Sequence, residues 1–394
     1  MMNIKPWAFA LLVVMAGCQV ERPAAPSLAE KDWQKETSLG QPKGLWVQDD
    51  HVVTVDANGN LVSGQLTLAE GQFEGVEGRV DDKGVVQLVT VDTASNEAVL
   101  FTQHHGQWQL AQRVPAPEYE ITGFCLYQDS QSLLSVYLLD ERGGADQWLL
   151  GSADKALPVR HLVLPPGVES CAVDDDSASL YVAEESVGLW RYHADPERDA
   201  ERQLLDRLAP HGNIAENASA VAVLPGGVAL VDKEAGAVNL YLADGRLQQR
   251  FAVPVLDEPE TLVVTQQGER LALYALDDGD KGVQSVMLSW PHAAQPGITM
   301  PVVLPTAQTD SVERYGDAAD DPAIWVHPTS PADSLILGTD KKAGLYVYDL
   351  QGRTRQFLEV GRLNNVDLRY GIDVAGRRWD IAVATNRDHN SLHL

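Results

Sequence analysis

The stretch Asp317-Ala318-Ala319-Asp320-Asp321-Pro322-Ala323-Ile324-Trp325-Val326-His327-Pro328 decides the reading of this chain. It continues through Gly338-Thr339-Asp340-Lys341-Lys342-Ala343-Gly344 to Leu363-Asn364-Asn365-Val366-Asp367-Leu368-Arg369-Tyr370 and Ala384-Thr385-Asn386-Arg387. Acids come first, then a lysine pair, then a lone arginine, each at the end of a short apolar run. Carboxylates are hard oxygen donors for a divalent cation, and lysine and arginine hold phosphate oxygens. The pattern is that of a cation bound beside phosphate.

Working outward, the same punctuation of short apolar runs fills the chain. Leu45-Trp46-Val47, His51 to Val55, Val85 to Val91, Leu133 to Leu139, Val228 to Asp232 and Leu271 to Leu276 are rich in Val, Leu, Tyr and Trp, which suits strands. Between such runs stand Asn58-Gly59, Asp82-Lys83-Gly84, Arg142-Gly143-Gly144, Pro225-Gly226-Gly227, Ala243-Asp244-Gly245 and Asp278-Gly279, all turn signals. No long stretch sustains a helical period. An all-β fold follows, and evenly spaced strands over this length favour a β-propeller over a sandwich or barrel.

A long-range repeat divides the chain. Phe73-Glu74-Gly75-Val76-Glu77-Gly78-Arg79 is echoed 290 positions later by Leu363 to Arg369. Asp56-Ala57-Asn58-Gly59 is echoed by Asp349-Leu350-Gln351-Gly352, and Leu45-Trp46-Val47 by Ile324-Trp325-Val326. A period that long marks duplicated domains rather than blades. The expected division is 36–305 for a first domain and 311–394 for the start of a second, joined by the Pro-rich segment Pro296 to Pro305.

The N-terminus reads as an exported lipoprotein. Lys5 precedes the apolar run Trp7 to Met15, too short to span a bilayer comfortably, and Met15-Ala16-Gly17-Cys18 resembles a lipobox. Residues 1–17 are then the signal peptide, Cys18 the lipidated residue and 18–35 a flexible tether. Gln19 after the cysteine favours the outer membrane. Cys125 and Cys171 remain, and their spacing leaves both a disulfide and two buried thiols open. Lys and Arg total 30 against 56 Asp and Glu, a formal charge of −26. Such a surface repels nucleic acid and attracts cations.

From Asp317 to Arg387 the chain resembles the β-propeller phytases, the alkaline, calcium-dependent phytases. The resemblance rests on the Asp-Ala-Ala-Asp-Asp-Pro-Ala-Ile-Trp run, Lys341-Lys342-Ala343-Gly344-Leu345-Tyr346-Val347-Tyr348, Asn364-Asn365-Val366-Asp367-Leu368-Arg369-Tyr370, and Ala384 to Arg387. It implies a six-bladed propeller binding several calcium ions in its channel. It also implies removal of phosphates from myo-inositol hexakisphosphate (phytate) without a covalent enzyme intermediate. On this resemblance Asp321 is a catalytic calcium ligand with Asp320 beside it. Lys341, Lys342 and Arg387 contact phosphate, and Asp367, Asn364 and Asn365 are further candidates for calcium or for shaping the channel wall. Singly, each of these residues also reads as turn or surface chemistry.

The first domain resembles the family more faintly. Val168 to Asp175 with Leu180 to Glu185 looks like the segment carrying two calcium-binding glutamates, which would be Glu169 and Glu185. Thr122 stands where the family has a calcium-ligating Tyr, and Arg142 roughly where it has a phosphate-binding Lys. The acid pair maps near Gln41-Pro42-Lys43, the lysine pair near Gln48-Asp49 and the arginine near Thr93 to Asn96, with none of these groups present. The first domain is therefore expected to be a degenerate propeller. From Asp317 only 78 residues remain, so the family's later ligands would lie beyond Leu394. The expectation is the first part of a second propeller, rather than final blades packing on the first.

No Arg-His-Gly run, Cys-x5-Arg loop, His-Glu-x-x-His pair or Gly-x-Ser-x-Gly elbow occurs. His104 and His105 are adjacent, so on a strand they point to opposite faces and form no zinc pair. The leading expectation is a phytase of the 3-phytase type, acting on calcium-phytate and lipid-anchored at the cell envelope. The alternative is a non-catalytic, lipid-anchored propeller that binds phytate, calcium or a protein.

Overall fold

A computed structural model describes residues 32–48, 51–104, 106–151, 155–199, 201–253, 259–267, 270–277, 282–290 and 307–394. The leader with Cys18, most of the tether, His105, the Asp278-Gly279 turn and the Pro296 to Pro305 linker lie outside them.

The described chain is almost entirely antiparallel β, with one short 3-10 turn at Pro331–Asp333. Six four-stranded sheets form a closed ring, a six-bladed β-propeller. The innermost strands of blades 1 to 6 are Gly44–Gln48, Phe73–Val80, Gly123–Gln128, Val168–Asp174, Val221–Leu224 and Pro259–Gln267. Each packs against the next, and the sixth packs against the first. Gln34–Lys35 closes the ring by pairing with Val283–Ser289, supplying the outer strand of blade 6 from the N-terminal end. Among the described residues no helix is long and apolar enough to cross a membrane.

The core is divided among the seams. One apolar cluster joins blades 1 and 2 through Trp46, Val55, Phe73 and Leu88, another joins blades 5 and 6 through Leu240, Phe251, Leu273 and Trp290, and each remaining seam has its own. The seam between blades 6 and 1 is filled by Leu45, Val47, Leu276 and Val283. Alternation along the strands feeds these seams, because successive side chains point to opposite faces of a blade and each face meets a neighbour. A fully buried Leu or Val at such a seam stabilises by about 1.5–3 kcal/mol.

A disulfide and an arginine-centred web are among the links that cross seams. Cys125 and Cys171, on the inner strands of blades 3 and 4, form a disulfide inside the apolar cluster there. Of the two possibilities open in the sequence, the structure has the bridge. Arg79, on the inner strand of blade 2, reaches further. Its Nη1 donates to Glu77 at 2.8 Å, its Nη2 to the Leu126 carbonyl of blade 3 at 2.9 Å and its Nε to Asp175 of blade 4 at 2.6 Å. Glu77 also accepts the Leu126 N–H at 3.0 Å, and Asp175 that of Gln128 at 3.0 Å. Burial pushes both carboxyls up, against the pull of Arg79.

Residues 307–394 form two further sheets. The seventh has strands Ala319–Trp325, Leu335–Asp340, Gly344–Asp349 and Thr354–Glu359. The eighth has Leu363–Val374, Arg377–Asn386 and Ser391–His393. Leu337, Leu345, Leu363, Val366 and Ala384 fill the seam between them, as in the ring.

Two of the three repeat echoes differ in standing. Leu363 to Arg369 and Phe73 to Arg79 both begin an inner strand and both carry a carboxylate two residues before an arginine that binds it. The Asp56 and Asp349 turns are alike locally: Asp56 Oδ1 accepts the N–H of Asn58 and Asn60, and Asp349 Oδ1 those of Gln351 and Arg353. They occupy different hairpins, however. Asp56 joins the second and third strands of its blade, and Asp349 the third and fourth. Local turn chemistry repeats wherever a tight hairpin is needed, so it does not fix blade position.

Two outcomes test these links. Replacing both Cys125 and Cys171 by Ser reopens a loop with a sequence separation of 46. By loop-closure entropy this costs about 4 kcal/mol, which lowers the melting midpoint by on the order of 10 °C; equal midpoints with and without reductant would contradict it. Arg79→Gln leaves two half-buried carboxylates without their cation, a loss of roughly 1–3 kcal/mol near neutral pH. Because acids with raised folded pKa values bind protons more tightly folded than unfolded, that deficit shrinks as pH falls from 8 towards 5. Melts across that range check it, and a deficit that grows on acidification would refute it.

Candidate functional site

The hairpin joining the second and third strands of each sheet lies at the end where the inner strand begins. The pairings Phe73 with Asp92, Val168 with Glu184, Ala319 with Asp340 and Leu363 with Asn386 place it there. These hairpins open on Asp56, Asp92, Asp140, Glu184, Asp232, Asp277, Asp340 and Asn386. The next residue is Ala57, Thr93, Glu141, Glu185 or Lys233 in the described hairpins of the ring, and Lys341 and Arg387 in the seventh and eighth sheets. Two of the three cations singled out in the sequence, Lys341 and Arg387, therefore hold one structural position on consecutive sheets. The counterpart of Lys341-Lys342 in blade 1 is Ala57-Asn58, whereas Gln48 ends the inner strand that precedes that hairpin.

The inner strands begin with a bulge. Ala319 pairs with Asp340 and Pro322 with Gly338, so Asp320 and Asp321 stand opposite Thr339 alone. Leu363 pairs with Asn386 and Val366 with Ala384, so Asn364 and Asn365 stand opposite Thr385 alone. A bulge leaves its extra residue outside the ladder and re-aims its side chain. Asp321 N–H donates to Thr339 Oγ1 at 3.0 Å, and Asp321 Oδ2 accepts the N–H of Val366, in the next sheet, at 2.9 Å. Asn365 N–H donates to Thr385 Oγ1 at 3.0 Å. Asp321, Asn365, Asp367, Arg369 and Thr385 line a cavity of about 530 Å³.

Lys341 does not line that cavity. Its ammonium donates to Asp317 at 2.6 Å and lies 3.4 Å from Asp320. The hydrogen bond to Asp317 holds Lys341 above the usual lysine range despite some desolvation, with both acids adding attraction. Its backbone N–H donates to the Ala318 carbonyl at 2.7 Å, which straps the incoming segment across the hairpin. Lys342 donates to the Tyr315 carbonyl on the same segment. Arg387 is exposed; its backbone is tied to Arg362 at 2.8 Å, and its guanidinium makes no ion pair among the described residues.

The acids expected to share a metal are not gathered into one cage. Asp320 faces Lys341. Asp367 is held below the usual carboxylate range first by the Leu368 N–H and then by Arg369, whose guanidinium lies 2.5 Å away. That pairing is the counterpart of Glu77 with Arg79, so Asp367 is occupied as an ion-pair partner. Among the described residues no three His, Cys, Asp or Glu side chains converge as a metal site. Asn364 donates its amide to Asn365 Oδ1 at 2.5 Å, which uses that carbonyl as well.

The ring has its own central cavity of about 980 Å³. It is lined by Glu74, Glu77, Glu120, Asp174, Asp175, Asp176 and Glu185 against Lys43, Arg79 and Lys233. That balance disfavours a polyanion. Glu185 is exposed at this wall, and Glu169 is the bulged residue of its inner strand, between Val168 and Ser170. Thr122 also lines the cavity, whereas Arg142 does not and pairs with its own Asp140 at 3.0 Å. Sequence reading missed Thr339, Thr385 and Lys233. Their signal is positional, since each stands beside or opposite a hairpin acid or a bulge, and only strand register reveals it.

The sequence model of the phytase family matches residues 75–220 and 283–394. A 3-phytase of Bacillus subtilis (strain 168) is 54% identical over 80 residues, which is 20% of this chain and 21% of that enzyme. The chain thus spans about a fifth of the length of that curated relative. Among solved structures, the β-propeller domain of Myceliophteria thermophila Cps50 (Swd1) aligns with a TM-score of 0.40 and 13% identity over 80% of this chain and 94% of that one, too loose a likeness to carry an argument.

Proposed function

The chain belongs to the phytase family, and from that premise we propose that it is a phosphomonoesterase of the 3-phytase type, releasing orthophosphate from calcium-complexed myo-inositol hexakisphosphate. The observation that carries the reading is the placement of Lys341 and Arg387 at one hairpin position on consecutive sheets, with the Asp320-Asp321 bulge beginning the inner strand of the first. Lysine is a compact point charge and arginine a planar fork, so the pair suits two oxygens of one phosphate or two neighbouring phosphates. Asp317 and Asp320 keep the Lys341 ammonium at the inner-strand end, where it stabilises negative charge on a phosphoryl group.

Calcium takes about six to eight oxygen ligands, a donor type that Asp320 and Asp321 match. With no three acids convergent among the described residues, these fit an open site completed by phosphate and water rather than a closed cage. When bound, calcium would neutralise phosphate charge and acidify a coordinated water. The chain's own residues hold and orient the phosphate, and Asp321 keeps Oδ2 fixed on Val366. For the ring, the acidic channel and the absence of cations from most of its described hairpin positions support a non-catalytic role, as a scaffold or a binder of cations or protein. Attachment through a lipid on Cys18, at the outer membrane, belongs to the same proposal. The disulfide within the ring fits an oxidising compartment.

Phosphate release from phytate by the purified protein tests the reading. Release is expected to stop with excess EDTA and return with calcium. Asp321→Ala and Lys341→Ala are each expected to lower it about a hundredfold with the melting midpoint retained. Release that persists after complete calcium removal would refute the proposed chemistry.

A further inference from the structure

We propose that Thr339 is a positioning residue for Asp321, acting as a hydroxyl pin between the seventh and eighth sheets; its catalytic meaning rests on the phosphatase reading above. Thr339 is 1% exposed and stands alone opposite Asp320 and Asp321. A bulge strips its extra residues of their ladder partners. The Thr339 hydroxyl replaces one, accepting the Asp321 N–H at 3.0 Å. Its own proton has the Asn364 carbonyl at 2.8 Å, on the neighbouring inner strand, as its nearer acceptor and the Asp321 carbonyl at 3.3 Å as its farther one. One side chain thus fixes the backbone of Asp321 and ties it to the adjacent bulge.

The web then closes on the carboxylate. Asp321 Oδ2 accepts the N–H of Val366, immediately after Asn364-Asn365. With backbone and Oδ2 both fixed, Oδ1 is the carboxylate oxygen left over in a residue that lines the 530 Å³ cavity. The ring supplies an internal control. Thr90, fully buried, stands opposite the bulge of Gly75 and Val76 and donates to the Gly75 carbonyl at 2.6 Å. There the bulge carries no carboxylate. The threonine therefore belongs to the bulge geometry, and the residue it serves decides whether that geometry aims an acid.

The test compares Thr339→Val, which keeps the branched shape and loses the hydroxyl, with Thr339→Ser, which keeps the hydroxyl. Amide hydrogen exchange is read at Asp321 and Val366, and kcat, KM and the calcium concentration for half-maximal phosphate release are measured on phytate. The Val variant is expected to exchange at least about tenfold faster at both amides, with protection in the six-bladed ring unchanged. Its kcat should fall roughly ten- to a hundredfold with KM little changed and its calcium requirement raised. The Ser variant should match the parent in every readout. Parent-like exchange at Asp321 and Val366 in the Val variant would overturn the proposal. So would opened exchange that leaves phosphate release and its calcium dependence unchanged. If the parent releases no phosphate, the phosphatase reading fails separately, and the Val and Ser exchange profiles still decide whether the hydroxyl holds Asp321.

Discussion

A β-strand turns successive side chains to opposite faces, and the bulge at the start of an inner strand is where this chain breaks that rule. Everything particular about the seventh and eighth sheets depends on it. Without the extra residue opposite Thr339, Asp320 and Asp321 would alternate, one into a seam and one away from it. With it, Asp320 reaches Lys341, while Asp321 reaches across to Val366. The neighbouring bulge at Asn364-Asn365 repeats the device against Thr385. A feature costly to ladder pairing thereby becomes the means of setting acids beside cations at one end of the sheets.

The six-bladed ring shows how the same architecture is held when all its seams are filled. Apolar clusters join every pair of neighbours, and the strand Gln34–Lys35 closes the circle by pairing across to Val283–Ser289. Arg79 gathers Glu77, Leu126 and Asp175 from three blades. In the eighth sheet, Arg369 repeats only the local half of this arrangement, binding Asp367 and the Leu368 carbonyl while both side chains remain exposed. The shared half is written in the carboxylate two residues before each arginine. The difference lies in what covers it, and burial is what turns a weak surface pair into a strong constraint on neighbouring blades.

Much of the fold was legible because strands and turns are local. Val, Leu and Tyr runs between Asn-Gly and Asp-x-Gly signals found their hairpins, and the Asp320-Asp321-Pro322 and Lys341-Lys342 runs marked the seventh sheet as the one holding the candidate site. Register was not legible, since it depends on partners far along the chain. The Asp56 turn looked like the Asp349 turn because an Asx turn needs only a few residues, yet the two close different hairpins. The pairing of Asp367 with Arg369 was not evident before the structure, and no spacing rule could have joined Cys125 to Cys171 or Arg79 to Asp175. Thr339 was invisible for the same reason: a threonine in a strand is ordinary until the residue opposite it is known to be a bulge.

On the proposed function, phosphate recognition lies on the sheets of residues 307–394 and not in the acidic channel of the ring. Calorimetric titration of phytate in the presence of calcium, into the whole protein carrying either Lys341→Ala or Lys233→Ala, separates the two most directly. Binding that is lost with Lys341→Ala and retained with Lys233→Ala is the predicted result. Binding that survives Lys341→Ala and disappears with Lys233→Ala would move the site into the ring and contradict the account.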